Sequence, residues 1–294
     1  MQNAEIFFFI PVCVGKGGME FNMLGLRKKK KKNTESEEIK KTLDIPVSHD
    51  PKHPVSIENL QEIGAREEQQ DAFFVSDIQE TEKGLLMILC DGMGGMQSGA
   101  AISRNVIDKL KDKFFSTDIS LIPKLIRETN NDIYSEYNCA GGTTLVMAFI
   151  LERKLWFWCV GDSDLFLLRN GNLYSMNRRH EYQNELMELA ICNEMSVEEV
   201  ISDKQRTALS DFIGDNKISI DYSGEPFLLE NGDKLLLCSD GVSDTLNLEE
   251  LKQILTNGIG IALKLGIAVS EKQMPNQDNY TAIIVTINDA EQAG

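Results

Sequence analysis

From Val55 onward, short apolar runs alternate with turn residues along the chain. LLMILC (85–90) stops at Asp-Gly, and KLLLC (234–238) stops at Ser-Asp-Gly. Apolar runs of this length that end in turn residues are typical of buried strands. YTAIIVTI (280–287) predicts the last strand of the same globular unit.

The sequence pattern predicts tight turns after strands at two further places. TLVMAFIL (144–151) and KLWFWCV (154–160) are separated only by Glu152-Arg153, which predicts a hairpin. Leu165–Leu168 is followed by Asn170-Gly171-Asn172, which predicts another strand and a turn.

Apolar residues at helical spacing occur in four segments, at roughly 99–115, 119–137, 184–202 and 248–272. Many strands flanked by separate pairs of helices predict sheets packed together with the helices outside them. The pattern therefore places the chain in the α+β class.

The composition fits a packed globular protein, because 42% of the 294 residues are apolar and 26% are charged. Enzymes of this length often form one domain. No apolar run approaches the ~18 residues that a membrane-spanning helix needs, so no spanning segment is predicted. The formal net charge of -16 argues against a nucleic-acid partner. The same excess of acid is consistent with solubility alone or with binding of divalent cations.

The first fifty residues differ from the rest. Ile6–Val14 is apolar but short, and no basic residue precedes it, so it does not fit a secretory signal. Arg27–Lys32 is an uninterrupted basic run, which predicts a solvated tail; the alternative is weak contact with anionic lipid, at about 1 kcal/mol per basic residue. We predict a disordered N-terminal tail over 1–52, a globular domain over 53–288 and a C-terminal tail over 289–294.

The six cysteines form no C-x-x-C pair and no zinc-binding spacing. Cys90, Cys159 and Cys238 lie in apolar runs, where a free thiol behaves as a small hydrophobe. This usage indicates a reducing compartment, and we expect a cytoplasmic protein.

Aspartates lie at the margins of the predicted strands. Asp91 and Asp240 each follow an apolar run and precede glycine, and Asp162 follows a third run. Asp71 and Asp278 each come just before a run. A single Asp-Gly is most simply a turn. Five aspartates at strand margins instead favour a shared site of oxygen ligands, which Mg²⁺ and Mn²⁺ prefer.

Six strings in this chain resemble, in order, those of the metal-dependent protein phosphatases of type 2C, the PPM family of Ser/Thr phosphatases, in its bacterial form. The resemblance covers about residues 57–287. The strings are IGAREEQQDAFF (63–74), LCDGMGGMQSGAAIS (89–103), AGGTTL (140–145), CVGDSD (159–164), NGDKLLLCSDGVSD (231–244) and DNYTAIIV (278–285). The implied fold is a four-layer αββα sandwich, in which two antiparallel β-sheets pack face to face between helix pairs.

The resemblance also implies a centre of two Mn²⁺ or Mg²⁺ ions in a cleft at one end of the sandwich. By motif, Asp91 bridges the two ions, and the carbonyl of Gly92 completes the shell of the second. Asp240 and Asp278 bind the first ion. Asp162 matches the acid that is associated with a weaker third ion in some members.

Three further residues have implied roles in hydrolysis. Arg66 matches the arginine that holds the substrate phosphate, for which a planar bidentate donor is suited. Asp71 is expected to orient a metal-bound water, and Asn279 to support the ligands. The implied reaction is attack on phosphoserine or phosphothreonine by a hydroxide that bridges the two ions, without a covalent phosphoenzyme.

Four positions depart from the family pattern. Gln70 replaces the usual acid before the first aspartate, which is expected to weaken metal binding. Asp164 replaces the arginine of GDSR, which is expected to add negative charge and to remove an ion pair. Arg179-His180 replaces Asp-His, and we expect His180 to be structural. Met93 stands where some members have a histidine that protonates the leaving group.

The alternatives are a degenerate phosphatase-fold module that binds phosphoproteins without turnover, and a hydrolase of phosphorylated small molecules. Intact Arg66 and aspartates favour the enzyme, with phosphoproteins as substrates and a Ser/Thr kinase as the opposing activity. Residues 181–222 lie where the family carries a flap beside the site. Their amphipathic pattern predicts ordinary packing onto the domain; substrate selection is the alternative.

Overall fold

The structure is a computed structural model, and it describes residues 8–12, 20–24, 54–77, 83–93 and 98–288. Its main body contains two antiparallel sheets. Their strands are β3 Val55–Glu62, β4 Ala72–Val75, β5 Leu85–Cys90, β8 Leu145–Leu151, β9 Lys154–Val160, β10 Asp164–Arg169, β11 Asn172–Ser175, β12 Asp221–Tyr222, β13 Phe227–Leu228, β14 Lys234–Cys238 and β15 Tyr280–Ile287. In the first sheet the strand order is β11-β10-β14-β15-β3; in the second it is β12-β9-β8-β5-β4, and β13 also pairs with β9.

The central strands are buried on both faces, which explains why they appear in the sequence as continuous apolar runs. In β5, Leu85, Met87 and Leu89 belong to the core between the two sheets, whereas Leu86 and Ile88 belong to a second core. This second core includes residues of the next two helices, and a third core lies on the outer face of the first sheet. Three cores separate four layers, so the predicted αββα sandwich is confirmed.

The helices flank the sheets in pairs. They are α1 Gly99–Phe114, α2 Ile122–Tyr137, α3 Gln183–Ile191, α4 Val197–Ser202, α5 Asp240–Ser243, α6 Leu248–Thr256 and α7 Ile261–Glu271. Helices α1 and α2 cover the second sheet, and α6 and α7 cover the first. A short β6 Gly92–Met93 pairs with β7 Gly142–Thr143.

The helical patterns over 184–202 and 248–272 each divide into two helices. Between α6 and α7, Gly258 and Gly260 have φ of 75° and 71°, a left-handed conformation that ends a right-handed helix. Between α3 and α4, Asn193 has φ of 58°, and Ser196 begins α4 with a capping box. Apolar periodicity alone does not resolve such breaks.

Within the predicted N-terminal tail, the backbone of β1 Phe8–Val12 pairs antiparallel with that of β2 Glu20–Leu24. Most of the predicted tail lies outside the described residues, so the expectation of disorder over 1–52 stays a prediction. The predicted basic run Arg27–Lys32 and the predicted C-terminal tail lie outside the described residues.

Candidate metal centre and active site

The register of β4 and β5 brings two of the predicted aspartates together. The last pair in this ladder is Ala72 with Cys90. Asp71 immediately precedes Ala72, and Asp91 immediately follows Cys90, so both project from the same end of the sheet. Thr144 fixes Asp91, because its hydroxyl accepts the Asp91 N–H at 3.0 Å and its own N–H donates to the Asp91 carbonyl at 2.9 Å.

In the other sheet, the register of β10 and β14 brings Asp162 and Asp240 together. Its terminal pair is Asp164 with Cys238, and Asp162 and Asp240 each lie two residues beyond that pair. The two sheets are joined at this end by Ser239, whose hydroxyl donates to Asp71 Oδ2 at 2.8 Å. All five predicted aspartates therefore converge here, with Asp278 two residues before β15.

Burial and mutual repulsion raise the pKa values of these carboxyls. Burial raises the pKa of Asp71 to about 7. Burial, followed by the Asp240 carboxylate, raises the pKa of Asp162 to about 7. The pKa of Asp240 is raised to about 6 by burial and then by Asp244 and Asp278. The pKa of Asp91 lies well above its usual value because of burial and then Asp71, Asp240, Asp162 and Asp278.

Two carboxylate oxygens of this cluster lack a partner. Asp71 Oδ1 and Asp240 Oδ1 are among the few buried side-chain oxygens of the described residues that make no hydrogen bond. A buried anionic oxygen without a donor is costly unless a cation satisfies it. An all-carboxylate set is also the donor chemistry that Mg²⁺ and Mn²⁺ prefer. These residues fit a divalent-cation site on both grounds.

The five carboxylates lie near one another, but they are not arranged as a complete set of metal ligands. Within the described ranges, no three His, Cys, Asp or Glu side chains are arranged as a ready metal-binding group. Like charges repel, and Asp278 is turned toward Arg66, whose Nη2 lies 2.7 Å from its Oδ2.

The loop that carries Arg66 is fixed by Asn279, which is 3% exposed. The Asn279 side chain accepts the Gln70 N–H at 2.8 Å and donates to the Ile63 carbonyl at 2.8 Å. Gln70 in turn accepts the Gly92 N–H on its carbonyl, at 3.2 Å. The Gln70 backbone is therefore part of the framework under the site, and the expectation that its side chain weakens metal binding stays a prediction.

Gly92 lies where two stretches of backbone come close. A Cβ at this position would lie 2.4 Å from the Gly99 carbonyl oxygen and 2.6 Å from that of Gln70. Only glycine fits between them. The structure thus explains the Asp-Gly pair after β5 by close backbone approach, whereas the predicted role of the Gly92 carbonyl stays a prediction.

The expectation that Asp164 removes an ion pair is wrong. Asp164 is 3% exposed and binds the guanidinium of Arg179, with Nη2 to Oδ2 at 2.6 Å and Nε to Oδ1 at 3.1 Å. The two residues that depart from the family pattern, Asp164 in place of arginine and Arg179 in place of aspartate, therefore form an ion pair with each other.

His180 makes a structural contact, as expected. The His180 ring Nδ1 accepts the backbone N–H of Gly161 at 3.2 Å. The backbone N–H of His180 donates to the Gly161 carbonyl at 2.8 Å. This pairing holds the turn just before Asp162. The five cysteines within the described residues are free, and Cys90, Cys159 and Cys238 are buried. None of these five thiols lies among the aspartates in a position to act as a nucleophile.

Sequence reasoning missed the roles of Arg179, Ser239 and Thr144. Ser239 and Thr144 lie inside strings that resemble the family, so their position was available, but their hydrogen bonds depend on how the two sheets meet. The packing prediction for 181–222 is also inaccurate for its helices. In α3 and α4, only Leu186 and Val200 are buried.

A four-layer sandwich with an aspartate cluster at one end is the architecture of the metal-dependent protein phosphatases. The family model described as Protein phosphatase 2C matches residues 61–266. The chain therefore belongs to the protein phosphatase 2C family and is a phosphoprotein phosphatase.

The serine/threonine phosphatase stp of Listeria innocua is 28% identical over 225 residues, which cover 71% of this chain and 87% of that protein. The S. agalactiae serine/threonine phosphatase structure matches with a TM-score of 0.69 at 25% identity, over 80% of this chain and 100% of that one. The catalytic domain of PstP in complex with two manganese ions shares the fold, with a TM-score of 0.61 at 22% identity over 80% of this chain and 99% of that one. Among the described helices, none has the length and apolar character to cross a bilayer.

Proposed function

We propose that this chain is a Mn²⁺- or Mg²⁺-dependent protein Ser/Thr phosphatase. The observation that carries the proposal is the cluster of aspartates with raised pKa values, which includes unpartnered buried oxygens on Asp71 and Asp240. The names of the Listeria innocua and S. agalactiae relatives support phosphoserine and phosphothreonine as substrates. The two manganese ions of the PstP complex support the choice of cation.

The residues that would hold the two ions are Asp91, Asp240, Asp278 and the Gly92 carbonyl. Asp162 would hold a weaker third ion. When bound, such ions supply Lewis acidity and lower the pKa of water.

The chain's own groups bind and orient the substrate. Arg66 is half-exposed at the edge of the cluster, where its planar guanidinium can take two phosphoryl oxygens. Asp71 is 2% exposed and anchored through Oδ2 to Ser239, so Oδ1 is held in one direction. We assign Asp71 to orienting the attacking water. Since Met93 carries no proton donor, a water molecule, either bound at the site or from bulk solvent, would protonate the leaving serine or threonine oxygen.

The proposed catalytic domain spans 53–288, with 181–222 as a flap beside the site. Its substrates are phosphorylated proteins, and a Ser/Thr kinase must supply them, since the phosphate removed must first have been added. We place this activity in the cytoplasm, in keeping with free cysteines.

The test is phosphate release from a phosphothreonine peptide, with Mn²⁺ and with the metal chelated. Release that requires Mn²⁺ is the expected result. Folded protein that releases no phosphate in either condition would overturn the proposal in favour of the degenerate binding module. Gln70→Glu, which restores the usual acid, is then the first reversion to make. Faster turnover of sugar phosphates than of phosphopeptides would indicate the small-molecule hydrolase instead.

A further inference from the structure

Arg179 connects three separate parts of the chain beside the aspartate cluster. Its Nη2 and Nε bind Asp164, the first residue of β10. Its Nη2 also donates to the Ser243 hydroxyl at 2.8 Å, and its Nη1 to Asp244 Oδ1 at 2.7 Å. A fourth partner is Glu181, at the start of the flap segment, whose Oε1 lies 3.3 Å from Nη1.

The contacts to Asp164 and Ser243 each lie within three residues of a proposed metal ligand. Asp164 is two residues from Asp162 and ends the ladder of β10 with β14. Ser243 is the last residue of α5, the single turn of helix that begins at Asp240. Arg179 therefore binds both β10, which begins two residues after Asp162, and α5, which begins at Asp240, through one planar side chain.

We propose that Arg179 is a positioning residue of the metal centre, which fixes the separation of Asp162 and Asp240 by tying β10 to α5. The proposal rests on the proposed function, because it takes these two aspartates as metal ligands. The guanidinium suits the task, since its donors diverge in one plane and meet four side chains at once. A lysine ammonium carries the same charge but cannot reproduce this fork.

Positioning and simple electrostatics predict opposite results. A positive charge near the site repels a divalent cation, so its removal would tighten metal binding if electrostatics alone mattered. If Arg179 holds the ligands in place, its removal weakens metal binding. Loss of a partner that orients metal ligands typically costs roughly 10–100-fold in metal affinity.

The chain provides a matched control at the far end of the same strand. Arg169, the last residue of β10, binds Asp233 through Nε at 2.9 Å and Nη2 at 2.5 Å. Asp233 is 2% exposed, so this pair resembles the Asp164–Arg179 pair in burial and geometry. It lies away from the aspartates at the opposite end of the ladder.

The experiment measures Mn²⁺ binding by isothermal titration calorimetry, with Mn²⁺ alone, on the full chain. The variants are Arg179→Lys, Arg179→Gln, the exchanged pair Asp164→Arg/Arg179→Asp, and Arg169→Lys as the control. We expect both single Arg179 variants to bind Mn²⁺ roughly 10–100-fold more weakly. We expect the Arg169 variant to bind as wild type, and the exchanged pair to recover most of the affinity. In turnover, the Arg179 variants should need more Mn²⁺ for half-maximal rate but approach the wild-type kcat at saturation.

Unchanged or tighter Mn²⁺ binding by Arg179→Lys would overturn the proposal. So would an equal loss in Arg169→Lys, which would indicate a general loss of stability, or an exchanged pair no better than the single variants. Asp240→Asn separates this failure from that of the proposed function. If Asp240→Asn binds Mn²⁺ like wild type, the metal site itself is misassigned; if it loses binding while the Arg179 variants do not, only the positioning role fails.

Discussion

Arg66 and Asp278 form an ion pair across the edge of the aspartate cluster, with Nη2 and Oδ2 2.7 Å apart. Their side chains are 55% and 40% exposed, so water screens the pair and its free energy is small, about 0–1 kcal/mol. Both residues have a second proposed role, since Arg66 binds phosphate and Asp278 a metal ion. The pair is therefore weak enough to be exchanged for these ligands.

Arg66→Ala is expected to raise the KM for a phosphothreonine peptide and to change kcat less, because it removes phosphate binding and not the nucleophile. It also frees Asp278, so Mn²⁺ should bind up to about fivefold more tightly. Steady-state kinetics and calorimetry measure the two effects. Arg127→Ala, on the exposed surface of α2, is the control. An unchanged KM would contradict the phosphate role.

Asp91→Asn and Asp240→Asn are each expected to lower kcat by at least about a hundredfold, because each removes a carboxylate from the cation site. Circular dichroism should show a folded protein in both cases. Asp112→Asn, on the exposed face of α1, should retain full activity. Near-wild-type turnover in both site variants would exclude the metal assignment.

The sequence predicted the core strands well because each is buried on both faces. LLMILC is a continuous apolar run and forms the buried strand β5. Its end at Cys90 correctly places Asp91 just beyond the strand. Strand β3 Val55–Glu62 is not evident from the sequence, because it lies at a sheet edge and carries polar residues at five of its eight positions. Such an edge strand lacks the continuous apolar run of a central one.

The polar network of the site was beyond prediction from composition or spacing. The Asp164–Arg179 pair depends on the register of β10, which begins at Asp164 opposite Cys238. It also depends on the later return of the chain to that point at Arg179. Each residue alone looked like the loss of a family feature. Only the structure shows that the two departures meet in one ion pair.

Gly64→Ala is expected to destabilise the domain more than Gly171→Ala does. Both glycines have left-handed backbone, with φ of +63° and +73°, so both substitutions carry the cost of that conformation, about 1 kcal/mol. At Gly64 a Cβ would also lie 2.2 Å from the Asp278 carbonyl oxygen, whereas at Gly171 nothing lies within 4 Å.

The added clash should cost a further 1–3 kcal/mol or so, about the usual cost of overpacking, and should displace Asp278. Urea unfolding measures the stability difference, and Mn²⁺ titration should show weaker binding in Gly64→Ala only. Equal losses of stability in the two variants would refute the close approach.

Without metal, Asp240 should make the folded protein less stable as pH rises. Burial and neighbouring carboxylates raise its pKa from 3.8 to about 6 in the fold. Between these two values the folded state holds more protons than the unfolded state, so the free energy of unfolding falls as pH increases. The loss begins near the unfolded pKa and is complete once pH passes the folded pKa.

Asp240→Asn removes this titration. In chelator, it should therefore unfold much like wild type at pH 4.5 but be more stable at pH 7.5, by about 2 kcal/mol. Urea unfolding at the two pH values measures the difference, with Asp112→Asn as the exposed control. Saturating Mn²⁺ at pH 7.5 should reverse the order, because only wild type gains the free energy of binding at an intact site. An advantage of Asp240→Asn that is equal at both pH values would show that the carboxylate is not strained in the metal-free fold.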